Sequence, residues 1–170
     1  MIKDYRILTI VLFVVAQMLL SNYALFTPFV MLGILPAVVL CITPKAGTVL
    51  TMLIAFAMGL AVDLLAEGTL GINALSLVPI ALIRRPLIEA ICGNEPFENK
   101  EPISIKKYGF SRISLAIIIV CAIFTAIYTI ADCAGTRPFW FILAKTGAST
   151  MASYVVSILI VHQLTNDYRR

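Results

Sequence analysis

Apolar residues run through this chain in six stretches, Ile7–Leu20, Phe26–Ile42, Ala46–Ala66, Leu70–Ile83, Ile113–Ala131 and Phe139–Leu164, divided by clusters of charge, proline and glycine. A helix rises about 1.5 Å per residue, so about 20 apolar residues cross a hydrocarbon core about 30 Å thick. The pattern therefore predicts an all-α integral membrane protein. A single transmembrane domain occupies residues 1–170, with spans at about 7–23, 26–42, 46–66, 70–85, 112–132 and 139–164 and a loop at about 86–111. The first stretch reads as a span rather than a signal peptide, because bulky Tyr23 stands beside Ala24, its one candidate cleavage residue. Gly33 and Pro36 interrupt the second and predict a kink near Pro36. Leu70–Ile83 is short, and length alone would allow a re-entrant segment.

Charge decides that point. Counting it as a span puts Lys3, Arg6, Lys45, Arg84, Arg85, Lys100, Lys106, Lys107, Arg112, Arg169 and Arg170 on one side, leaving Arg137 and Lys145 near the other. Basic residues favour the cytoplasmic face, so both termini and the loop at 86–111 are expected inside. Trp140 and Tyr23 then fall at the outer boundary and Tyr108 and Tyr168 at the inner one, where aromatic side chains collect.

Composition removes whole classes of function. Of 170 residues, 61% are hydrophobic and 13% charged, against about 45–50% and about 25% in soluble domains, so no soluble catalytic domain fits. For topology the location of the basic residues matters more than the net charge of +4, and the basic balance is not read as nucleic-acid binding. Cys41, Cys92, Cys121 and Cys133 form no C-x-x-C pair, and His162 is the one imidazole, which argues against a metal site. No nucleophile–base set, phosphate loop or zinc motif is present, so the expectation is a non-enzyme without cofactors.

The stretch from Gly59 to Ala74 does carry information. Asp63 stands in an apolar run, where a carboxylate costs about 2.5–3.5 kcal/mol unless it faces protein or a partner charge. Gly68, Gly71 and Asn73 follow it and permit tight backbone, so a buried turn between two spans is expected. Counted by helical rise, Asp63 lies about 26 Å up the third span and Lys145 about 9 Å down the sixth, depths some 5 Å apart. Two arrangements remain open: Asp63 pairs with Lys145, or Asp63 bonds the Gly68–Gly71 turn while Lys145 reaches for the boundary. The sixth span also carries two ladders at every fourth residue, Ala144/Ala148/Ala152 and Ser149/Ser153/Ser157. Small residues allow close helix approach, and the alanine ladder is the expected packing face.

Gly59-Leu60-Ala61-Val62-Asp63-Leu64-Leu65 followed by Gly68-Thr69-Leu70-Gly71-Ile72-Asn73-Ala74 closely resembles the signature of the MreD family of bacterial rod-shape-determining membrane proteins. The chain length, the Pro-framed second span, Tyr108-Gly109-Phe110 before the fifth, Lys145 in the sixth and the basic tail resemble that family too. Asn73 departs from it, being often His in relatives. The resemblance implies a non-catalytic inner-membrane component of the cell-elongation complex that binds the membrane helix of MreC. Through MreC it implies a link to MreB, RodA and a class B penicillin-binding protein. It also implies a fold similar to the substrate-binding subunits of energy-coupling-factor vitamin transporters, which supplies the alternative: a small-molecule-binding subunit with a pocket near Asp63, Glu67 and Asn73. Partner binding or a structural role would rest on Gly59, Asp63, Gly68, Gly71, Asn73 and Lys145.

Overall fold

The structure, a computed structural model, describes residues 2–24, 30–42, 44, 46–67, 71–93, 95–98, 108–133 and 138–167, and the regular elements among these are all helices, without strands. In chain order the helices are α1 (Ile2–Ala24), α2 (Leu35–Cys41), α3 (Thr48–Val62), α4 (Ile72–Cys92), α5 (Glu95–Glu98), α6 (Phe110–Cys133) and α7 (Phe139–Asp167). After Val62, α3 widens into one π-helical turn, Asp63–Glu67. Three helical stretches are long and apolar enough to cross a membrane: Thr48–Ala66, Phe110–Cys133 and Phe139–Val161.

Two expected boundaries are corrected. Residues 26–42 do not form one helix: residues 30–34 are non-helical, and helix begins only at Leu35. Pro36 stands at the start of α2, where its missing N–H removes no intrahelical bond and its fixed φ suits the first turn. The expected kink is thus a true break. The fourth helix, in turn, does not stop at Arg85 but runs on to Cys92 with Pro79 and Pro86 inside it, so residues 86–92 are helix rather than loop. Its 21 residues carry it past the apolar run, but they include Arg84, Arg85 and Glu89, and it is not among the three helices apolar enough to cross a membrane.

Packing is organised around α2. Leu35, Pro36, Ala37, Val38, Val39 and Leu40 are all buried, as expected of a helix that is apolar on every side. It touches α1, α3, α4, α6 and α7. Leu77, Ile80 and Ile88 of α4, Ile117 and Phe124 of α6 and Val161 of α7 complete the core. The outward faces are equally apolar: Leu53 and Phe56 of α3, Leu82 of α4, Trp140, Met151 and Leu159 of α7 are all exposed. Where the surroundings are as apolar as the core, close packing and internal polar bonds must hold helices together. Those bonds concentrate in two places.

Candidate functional site

The first place is the corner between α3 and α4. Gly59 lies against the start of α4 so closely that a Cβ there would fall 2.5 Å from Ala74 Cα and 2.6 Å from Ala74 N. Only hydrogen fits. One turn further along, Asp63 is fully buried. Its Oδ2 accepts from Gly71 N at 3.0 Å and Ala74 N at 3.2 Å. Its Oδ1 accepts from Asn73 N and Asn73 Nδ2, both at 3.0 Å.

This is N-capping by a residue of the preceding helix. The first N–H groups of an α-helix have no intrahelical acceptor, and an Asp beside them normally supplies one. At α4 the N-cap position is Gly71, in the left-handed region at φ 95°, with no side chain to offer. Asp63 reaches back across the turn and takes that role, with its negative charge at the positive end of the helix dipole. Two carboxylate oxygens offer about four acceptor positions, and four donors occupy them.

Lys145 therefore does not pair with Asp63. Its Nζ donates to Asp132 Oδ2 at 2.7 Å, with Lys145 mostly covered and Asp132 41% exposed. Depths about 5 Å apart leave the pairing within reach of a lysine, but the carboxylate across the α6–α7 connection is the partner, and the donors of α4 have already used Asp63. Of the six polar-motif residues, Gly59, Asp63, Gly71 and Asn73 come together, Lys145 belongs elsewhere, and Gly68 lies outside the described residues.

The second place is the break before α2, where residues 31–34 form no helix and need partners for bare backbone inside the bundle. Three side chains supply them. Gln17 of α1 accepts from Ile34 N at 2.7 Å and donates to Leu32 O at 2.8 Å. Ser149 Oγ of α7 accepts from Met31 N at 3.0 Å. Ser153 Oγ accepts from Gly33 N at 2.9 Å and donates to Met31 O at 3.3 Å. At the far end of α2, buried Arg84 donates from Nε to Leu40 O at 3.1 Å and from Nη2 to Ile42 O, a cation on a helix C-terminus. Non-helical backbone is tolerated at membrane depth when protein satisfies it in this way.

These bonds correct the reading of α7. Ser149, Ser153 and Ser157 are fully buried, whereas Ala144 and Ala148 are exposed and Ala152 is intermediate. Both ladders share one spacing, but only hydroxyls satisfy a bare backbone, so the serine face turns inward. Further polar contacts run between α6 and α7: Thr125 Oγ1 with Thr150 Oγ1 at 2.7 Å, Cys121 Sγ with Ser157 Oγ at 3.6 Å, and Ser114 Oγ with Tyr154 Oη at 2.5 Å. Sequence reasoning passed over Gln17, although it is the one side-chain amide within the first apolar run, and used Arg84 only for topology.

No described group of three or more His, Cys, Asp or Glu residues is placed to hold a metal, and the four cysteines are free. The chemistry on offer at both places is positional: main-chain groups are held, and helices are fixed to each other. Compared with protein-family models, with curated proteins and with solved structures, the chain matches none.

Proposed function

We propose that this chain is a non-catalytic scaffold of the bacterial cell-elongation complex. In this reading it crosses the inner membrane six times, with α1, the broken element at residues 26–42, α3, α4, α6 and α7, and keeps both ends in the cytoplasm. It binds the membrane helix of MreC, and through MreC it is tied to MreB, RodA and a class B penicillin-binding protein. The observation that carries the reading is the outer face of α7. Ala144, Gly147 and Ala148 are exposed there, a small-residue surface that lets a second helix approach closely, while the buried serine face is occupied by the chain itself.

The alternative, a vitamin-binding transporter subunit, needs a pocket near Asp63 and Asn73. Both residues are fully buried, and the Asp63 carboxylate is saturated by its own chain. A ligand would reach them only by opening the α3–α4 corner, which favours the scaffold.

Purification in mild detergent tests the choice. MreC should come with the wild-type chain and with Ile158→Leu, and be lost with Ala148→Leu at an unchanged melting temperature. Recovery of an ATPase module and a bound vitamin, without MreC, overturns the reading.

A further inference from the structure

We draw no further inference here: the strongest candidate, the exposed face of α7 at Ala144, Gly147 and Ala148, belongs to the surface already proposed for a partner helix, and no second observation among the described residues points to another occupant.

Discussion

The start of α4 and the break before α2 meet one difficulty, main-chain polar groups inside an apolar bundle, and answer it in opposite ways. At α4 a single carboxylate eight to eleven residues upstream takes four donors, so the lock is local and charged. Before α2 three neutral side chains share the work, and two of them lie 118 to 122 residues away on the last helix. The first arrangement concentrates its strength in one residue. The second spreads it over a bundle that must already be assembled. Removing one partner should therefore be severe and global at the corner, but milder and confined to its surroundings at the break.

The largest effect is expected for Asp63→Ala, which strands three main-chain N–H groups, two of them buried, and one side-chain amide at a cost of about 3–5 kcal/mol. Melting in maltoside, read by a thiol-reactive fluorophore on the buried cysteines Cys92, Cys121 and Cys133, should show all three labelled together at a sharply lower temperature. If Asp63→Ala melts like the wild type, the corner is not the lock described.

A smaller loss, about 2–3 kcal/mol, is expected for Gln17→Leu, and about 1–2 kcal/mol for Ser153→Ala, because the rest of the set keeps part of the segment satisfied. The difference between the regions appears in the order of labelling: Cys41, at the end of α2, should react before Cys121 in both variants, as a local opening. Simultaneous labelling would mean that the two regions form one cooperative unit. The smallest effect belongs to Lys145→Met. Its partner Asp132 is 41% exposed, so solvent screens the pair and the loss should stay below about 1 kcal/mol. A larger drop would reveal a third anchor at the α6–α7 end.

The same contrast explains what the sequence disclosed. A carboxylate, two glycines and an asparagine within sixteen residues interact nearly where they stand, so Asp63 was legible as the centre of the α3–α4 corner; the turn at 68–70 lies outside the described residues. Helical rise gave Lys145 a depth but no azimuth, and a partner at the right height on another helix looked as good as Asp132. The two ladders of α7 share a period, so spacing could not say which faces inward. That choice depends on what lies opposite, a stretch of bare backbone supplied by another part of the chain. The break itself was half visible: Gly33 and Pro36 announced a disturbance, but its repair by Gln17, Ser149 and Ser153 exists only once distant helices meet.

That separation sets a clock on biogenesis. Residues 31–34 leave the ribosome soon after Gln17 but 118 residues ahead of Ser149, an interval on the order of ten seconds at about 5–20 residues per second. During it the amide of Gln17 can hold Leu32 and Ile34, while Met31 and Gly33 wait for hydroxyls not yet synthesised. The newborn chain must keep this stretch near water, within the insertion machinery or against a chaperone until α7 arrives, and α7 becomes the latch that closes the bundle.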